Sequence, residues 1–197
     1  MQIKSGIGYT FAKALRHILR HDPDAIMIGE IRDEETAKIA VESSLTGHLV
    51  LSTLHTNSAA ATVTRLLEIG IEPYLLNSTL LAVLAQRLVK RNCSHCIEEE
   101  YVPEETRRQL GISNDEVFYK GKGCDQCHHL GYSGRLAVYE LLTISPAVRR
   151  LIQPKVNSID IEMAATENGM VPLTNRAIEM AREKLTSIEE VYRVRLG

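Results

Sequence analysis

The apolar positions in the first ninety residues change their spacing several times along the chain. Over residues 10–21 they recur every three or four positions, and Asp22-Pro23 follows, so a helix is predicted there. The next stretch, "AIMIGEI" at residues 25–31, is apolar almost without a break and predicts a buried strand. A second short strand is predicted over residues 48–54, because Gly47 bounds a leucine- and valine-rich run.

Helices are predicted between and after these strands, over residues 34–45, 59–70 and 74–89. Asn57 or Ser58 can cap the helix that begins near residue 59. Helices that alternate with short apolar strands are typical of βαβ units. We therefore predict an α/β fold with a parallel sheet and flanking helices.

The last third of the chain returns to helical spacing after a predicted turn and short strand, "LGYSGRLAVYELLTIS". Ser145 is a predicted N-cap, with Pro146 at the first helical position, and Ser158 is predicted to cap the next helix. Ser187 and Glu190 have the spacing of a capping box. A C-terminal helical region is the expected result.

Composition and charge argue against several classes of protein, including nucleic-acid-binding, membrane-spanning and secreted proteins. A chain of 197 residues that is 44% hydrophobic can bury a core, and its formal net charge of -2 gives no general attraction for nucleic acid. No apolar run approaches the roughly 20 residues of a membrane span, and the N-terminal sequence has no signal-peptide pattern. Four cysteines in an apparently cytosolic chain favour metal or redox chemistry over structural disulfides.

Both predicted strands run into polar side chains at their carboxyl ends. Glu30, Arg32 and Asp33 follow the first strand, and the second runs into "STLHTN", which contains His55. Ligands of open parallel sheets bind at this edge, where a carboxylate can hold Mg²⁺ and a histidine can contact a terminal phosphate. The alternative is that Glu30 simply enters solvent where the strand leaves the core, and that His55 is a surface or capping residue.

The cysteines form two C-x-x-C pairs, Cys93 with Cys96 and Cys124 with Cys127, with 27 residues between the pairs. Two such pairs can complete a closed tetrahedral Cys₄ site of the kind that holds structural Zn²⁺. Redox-active pairs or unliganded thiols are the alternative. His95, His128 and His129 are possible substitute ligands, but four cysteines already fill the coordination shell, so we expect these histidines at the surface.

The stretch "RHDPDAIMIGEIRDEETAKIAVESSLTGHLVLSTLHTNSAAATVTRLLEIG" resembles the secretion ATPases of type II secretion and type IV pilus assembly, the GspE/PilB-like family. In that family "IMIGEIRD" corresponds to the Walker B segment and "TGHLVLSTLHTN" to the histidine box. The resemblance implies a RecA-like sheet that binds ATP and Mg²⁺. It makes Glu30 the Walker B acid and His48 and His55 the histidine-box pair, with His55 nearer the γ-phosphate. Arg32 and Asp33 are expected either to orient Glu30 or to contact a neighbouring element.

The resemblance also implies an organisation. Residues 1–90 correspond to the C-terminal portion of the ATPase domain, residues 91–133 to a tetracysteine zinc subdomain, and residues 134–197 to the C-terminal helical region. The family acts as hexamers at the cytoplasmic side of the inner membrane, with membrane platform proteins as partners, and assembles pilin or pseudopilin subunits. The sequence does not separate type II secretion from type IV pilus extension.

A P-loop, G-x-x-x-x-G-K-[ST], is absent from the sequence; "GKGCDQC" at residue 121 lacks the earlier glycine and the following Ser/Thr. In the family the P-loop precedes the region that this chain resembles. We therefore expect the chain to be the C-terminal part of a longer ATPase, and expect it to turn over no ATP alone.

A zinc-ribbon module for protein or nucleic acid, on an α/β scaffold, is the rival function. A nucleic-acid ribbon would show clustered lysines and arginines among aromatic residues. The segment between the cysteine pairs instead holds "EEEYVPEE", which repels phosphate. Direct nucleic-acid binding is therefore not expected.

Overall fold

The computed structural model of the chain describes residues 11–21 and 23–196. The predicted start of the first helix at Thr10, and Asp22 at its end, lie outside the described residues. The helices are α1 (Phe11–Leu19), α2 (Glu34–Leu45), α3 (Ala59–Glu68), α4 (Pro73–Thr79), α5 (Glu104–Leu110), α6 (Pro146–Leu151), α7 (Ser158–Glu167), α8 (Leu173–Arg182) and α9 (Ile188–Leu196). The strands are β1 (Ala25–Ile28), β2 (Leu49–Ser52), β3 (Ala82–Asn92), β4 (Ile97–Glu100), β5 (Phe118–Gly121) and β6 (Tyr132–Thr143).

The chain forms two compact units, residues 1–83 with 142–168 and residues 84–141 with 169–197. Each unit combines two separate stretches of sequence. The three-part division into residues 1–90, 91–133 and 134–197 stays a prediction. Among the described residues no helix is both long enough and apolar enough to cross a bilayer.

In the first unit, β1 and β2 pair in parallel from Ala25↔Leu49 to Ile28↔Ser52, which confirms the predicted parallel arrangement. Ile26 and Ile28 are buried on one face of this pair, whereas Met27, Leu49 and Leu51 are exposed on the other. The predicted buried strand is therefore buried on one face among the described residues, and not on both as in a fully covered parallel sheet. The α/β fold class is therefore confirmed.

Side-chain caps set the starts of α2 and α3 in the first unit. The Asp33 carboxylate accepts from the Thr36 N–H at 2.8 Å and begins α2, whose bounds match the predicted 34–45. Of the two predicted caps for α3, Ser58 makes the bond, accepting from the Ala61 N–H at 3.1 Å. Both contacts satisfy N–H groups that the first turn of a helix leaves unpaired.

The predicted helix over residues 74–89 is wrong beyond residue 79, because α4 ends at Thr79 and β3 begins at Ala82. Ala85 and Val89 are buried on one side of β3, whereas Leu84 and Leu88 are exposed. Each pair is four residues apart, a spacing that a helix face and one face of a strand both allow. The leucine spacing therefore does not distinguish a helix from a strand here, and the segment forms a strand that pairs with β6.

The second unit contains an antiparallel pair, β4 with β5, whose register runs from Ile97↔Gly121 to Glu100↔Phe118. Phe118 is fully buried there, and helix α5 lies between the two strands in sequence. Helices α8 and α9 pack against each other and against β5. The expected C-terminal helical region is confirmed.

Two polar contacts hold the C-terminal helices of this unit. Buried Asn92 donates from Nδ2 to two backbone carbonyls, that of Tyr119 at 2.9 Å and that of Lys184 at 3.1 Å. The Arg182 guanidinium donates to the Glu116 carboxylate at 2.7 Å. The first contact ties the end of β3 to the turn between α8 and α9.

Two predicted caps differ from those observed. Asn157, rather than Ser158, caps α7 by accepting from the Ile159 N–H at 3.0 Å, since its carbonyl side chain reaches the first turn. Ser187 accepts from the Glu190 N–H at 3.4 Å, which is half of the predicted capping box. The Glu190 carboxylate instead accepts from the Lys90 N–H at 2.9 Å, so it serves β3.

Candidate functional site

Glu30 lies just beyond β1, where regular strand pairing has ended at Ile28. Its carboxylate has two partners: the Arg32 guanidinium at 2.6 Å and the His55 Nε2 at 3.2 Å. His55 reaches it from the segment that follows β2. Carboxyl ends of neighbouring parallel strands share one edge of a sheet, and this explains why residues 25 positions apart in sequence meet here.

The surroundings keep Glu30 ionised. The hydrogen bond from Arg32 lowers the pKa of Glu30 below its ordinary value of 4.5; partial desolvation opposes this, and the charges of Arg32 and His55 add to it. The Glu30 side chain is 20% exposed, whereas that of His55 is 88% exposed. An anionic carboxylate beside an accessible imidazole can bind a divalent cation, or hold a water molecule for attack on a phosphate.

His48 lies at the opposite end of β2 from His55, with roughly 13 Å of strand between them at about 3.3 Å per residue. Its Nδ1 lies 3.0 Å from the Ser43 carbonyl and 3.1 Å from the Thr46 hydroxyl, at the C-terminal end of α2. The structure therefore brings Glu30, Arg32 and His55 together and leaves His48 apart. The catalytic roles of all four stay predictions.

Thr53 makes two hydrogen bonds to the backbone on either side of Glu30, and the sequence did not indicate them. Its hydroxyl donates to the Gly29 carbonyl at 2.6 Å, and its own carbonyl accepts from the Ile31 N–H at 3.0 Å. Thr53 stood among several polar residues at the strand end, and nothing in their spacing distinguished it. Its partners are backbone groups, which leave no sequence signature.

The four cysteines, Cys93, Cys96, Cys124 and Cys127, form a second cluster, in which all Sγ atoms lie within 4.8 Å of one another. The Cys93–Cys124, Cys96–Cys127 and Cys124–Cys127 sulfur distances are 3.9, 3.8 and 3.8 Å. Four sulfurs at 2.3 Å from a central Zn²⁺ would stand about 3.8 Å apart, whereas a disulfide requires about 2.05 Å. The geometry fits one tetrahedral ion and excludes disulfides.

Backbone N–H groups point at these sulfurs. Gly123 donates to Cys96 at 3.3 Å, and the Cys124 and Gly131 N–H groups donate to Cys127 at 3.2 and 3.3 Å. Burial raises the pKa of the Cys96 thiol to about 12. Burial acts the same way on Cys127, but the N–H donors and neighbouring thiols outweigh it and lower the pKa to about 6. Thiolate, the form that binds metal, is thus favoured at Cys127 and disfavoured at Cys96.

Two glycines permit the close approach of the chain segments that carry the cysteines. A Cβ on Gly121 would lie 1.9 Å from the Gly131 carbonyl oxygen, and a Cβ on Gly131 would lie 2.2 Å from that of Gly121. The Gly131 carbonyl also accepts from the Cys93 N–H at 2.9 Å. Any side chain at either glycine would force these backbones apart.

The neighbouring histidines stay outside the cluster. Among the described residues, the group whose ligand atoms converge consists of the four cysteines alone. His129 pairs instead with Asp125 at 3.2 Å. The four-cysteine ligand set is thus favoured over one that includes His95, His128 or His129.

Comparison with known proteins gives matches along nearly the whole chain. The family model described as "Type II/IV secretion system protein" matches residues 1–193. The type IV pilus assembly ATPase PilB of Thermus thermophilus is 47% identical over 194 residues, covering 96% of this chain and 22% of that protein. The type II secretion system protein E of Aeromonas hydrophila is 46% identical over 196 residues, covering 98% of this chain and 39% of that protein.

Solved structures give a consistent result. A crystal structure of the pilus retraction motor PilT with bound ADP matches with a TM-score of 0.65 and 27% identity, covering 94% of this chain and 43% of that one. The Legionella pneumophila ATPase DotB matches in fold, with a TM-score of 0.63 at 23% identity, covering 95% of this chain and 42% of that one. The chain thus spans between about a fifth and two fifths of the length of these proteins.

Proposed function

Since the chain belongs to the type II/IV secretion system protein family, we propose that it is the C-terminal part of a motor that hydrolyses ATP to assemble pilin or pseudopilin subunits. The motor would act as a hexamer at the cytoplasmic face of the inner membrane, bound to membrane platform proteins. ATP and Mg²⁺ would be its substrate and cofactor.

The observation that carries this proposal is the 3.2 Å contact between Glu30 and His55 at the carboxyl edge of the β1–β2 pair. Glu30 would hold Mg²⁺ directly or through water, and the bound ion would offset charge on the phosphates. His55, exposed beside it, would contact the terminal phosphate. Arg32 keeps the carboxylate ionised and oriented.

The phosphate cradle is the missing part of this site. The sequence holds no G-x-x-x-x-G-K-[ST] run, so we expect the backbone N–H nest and lysine of a P-loop to come from outside this stretch of sequence. We therefore expect that the chain by itself turns over no ATP, and that a P-loop is encoded earlier in the same reading frame. A reading frame without that run would contradict the proposal.

Hydrolysis by the product of the whole reading frame tests the catalytic assignment. Glu30→Gln should lower Mg²⁺-dependent phosphate release by at least about 100-fold, and His55→Ala should lower it as well. Glu42→Gln, which changes an exposed acid on α2, is the matched control and should stay within about twofold of the unmodified protein. Unmodified rates in both Glu30→Gln and His55→Ala would overturn the assignment. Glu30-dependent hydrolysis by the 197-residue chain alone would overturn the expected inactivity.

We also propose that the four cysteines hold one structural Zn²⁺. The sulfur distances of 3.8–3.9 Å and the N–H donors to Cys96 and Cys127 support this, and a closed Cys₄ shell leaves no position for a reacting water. Elemental analysis of the purified chain should give one zinc per chain, with all four thiols protected from a thiol reagent until a chelator is added. Zinc-free protein, or four freely reacting thiols, would contradict this.

A further inference from the structure

Glu30 lies outside the regular β1–β2 ladder, so something other than strand pairing must hold its backbone. The two bonds that do so both come from Thr53: its hydroxyl donates to the Gly29 carbonyl, and its carbonyl accepts from the Ile31 N–H. One residue thus fixes the positions immediately before and after Glu30. We infer that Thr53 is the positioning residue that presents the Glu30 carboxylate to His55 and to the proposed magnesium–nucleotide site.

Packing holds the residues on either side of the Gly29–Glu30 peptide. Ile28 is 1% exposed and Ile31 is 8% exposed, so both are held in the core. Gly29 has no side chain of its own to pack, and a Cβ built on it would meet nothing within 4 Å. The 2.6 Å bond from the Thr53 hydroxyl is therefore a direct side-chain restraint on the Gly29–Glu30 peptide between these two buried residues.

Thr53 also lies two residues before His55 on the same segment. Exposure alternates along this segment, with Thr53 and His55 exposed and Leu54 half-buried between them, as in an extended chain. The same short stretch therefore sets the backbone of Glu30 and supplies the partner of its carboxylate. Movement at Thr53 would change both the direction of the Glu30 side chain and its distance to His55.

The Thr53 hydroxyl is exposed, so its removal should cost little stability and any effect on Glu30 can be attributed to positioning. The Gly29 carbonyl can accept from water when the hydroxyl is removed, so no buried polar group is left unpaired. Thr53→Val keeps the shape of the side chain and loses the donor, whereas Thr53→Ser keeps the donor. Thr64→Val is the matched control, because it removes a hydroxyl that donates to a backbone carbonyl at 3.0 Å within α3.

The first test uses the 197-residue chain and NMR. In Thr53→Val the chemical shifts of the His55 ring should change, because the Glu30 carboxylate moves from its 3.2 Å contact with Nε2. Amide exchange at Ile31 should become about fivefold faster, the effect of losing one hydrogen bond next to it. Thr53→Ser and Thr64→Val should match the unmodified chain in both measurements. If Thr53→Val also matches it, the positioning role is overturned.

The inference rests on the proposed function, so a second test uses the product of the whole reading frame. Thr53→Val should lower kcat about tenfold with little change in KM, and Thr53→Ser should restore it. A Thr53→Val protein with unmodified kcat would overturn the role in catalysis. Glu30→Gln separates the two claims: if it hydrolyses ATP at the unmodified rate, the proposed function fails, while the NMR result still decides whether Thr53 positions Glu30.

Discussion

The two glycines at residues 131 and 134 offer a test of the tetracysteine site at two positions that both have a positive φ. Gly131 has φ +78° and Gly134 has φ +79°, values that L-residues rarely adopt. A positive φ costs an L-residue about 1–2 kcal/mol, so alanine is strained at both positions. A Cβ at Gly134 would meet nothing within 4 Å, whereas one at Gly131 would lie 2.2 Å from the Gly121 carbonyl oxygen.

The difference between the two substitutions can be worked from the contacts. At 2.2 Å the new Cβ is well inside the roughly 3.5 Å of favourable nonbonded contact, so the Gly121 and Gly131 backbones must separate by about 1 Å. That movement breaks the Cys93 N–H bond to the Gly131 carbonyl and the Gly131 N–H bond to Cys127. Two lost hydrogen bonds cost about 2 kcal/mol beyond the shared strain.

The expected result is a selective loss of metal affinity. Because both broken bonds orient cysteine ligands, Gly131→Ala should bind zinc roughly 30-fold more weakly than Gly134→Ala, the equivalent of about 2 kcal/mol. Competition against a chromogenic chelator, read at several chelator concentrations, measures both affinities. Equal zinc affinity and equal denaturation midpoints for the two variants would refute the close approach of residues 121 and 131 as a requirement of the site.

Three other substitutions test single contacts. Asp33→Ala should lower the free energy of unfolding by about 1 kcal/mol in chemical denaturation, as the loss of an N-cap does; no loss would show that α2 does not depend on this cap. Arg182→Gln should raise the pKa of Glu116 toward 4.5 in an NMR titration, because the hydrogen bond from Arg182 lowers it. The ion pair contributes stability above pH 4.5, and this contribution is lost as pH falls through the lowered pKa of the folded protein. An unchanged titration midpoint of Glu116 would contradict the pairing. Asn92→Ala should destabilise the second unit by about 2 kcal/mol, because the carbonyls of Tyr119 and Lys184 lose their donor. The control Asn114→Ala, at an exposed position, should change the free energy of unfolding by no more than about 0.5 kcal/mol. Similar losses of stability in both variants would count against the Asn92 contacts.

The parts of the fold that could be predicted are those with one strong periodic signal. The apolar run of β1 and the helix α2 with Asp33 before it have patterns that a single element explains. The run at residues 82–92 does not, because its apolar residues stand four apart and fit a helix and a strand equally. Only pairing with β6, a contact across about fifty residues of sequence, decides between them.

The candidate sites also have features that the sequence predicted and features that it did not. The spacing of the cysteine pairs predicted one four-sulfur cluster, since both pairs carry the same short signature. The meeting of Glu30 and His55 followed from the rule for parallel strand ends. The distance of His48 from them did not, because a residue before a strand and one after it lie at opposite edges of the sheet, and the family resemblance named them together.

Most of the contacts that the sequence did not predict at either site are made by backbone N–H and carbonyl groups. The Gly29 carbonyl and Ile31 N–H hold Glu30 through Thr53, and the Gly123 and Gly131 N–H groups hold the cysteine sulfurs. Every residue except proline offers the same N–H and carbonyl, so residue type alone does not reveal which of them will act. The ligands of a site can therefore be predicted from sequence, whereas the residues that orient them become visible only when the path of the chain is known. Thr53 and Gly131 are such residues, and for that reason they are the most informative positions to change.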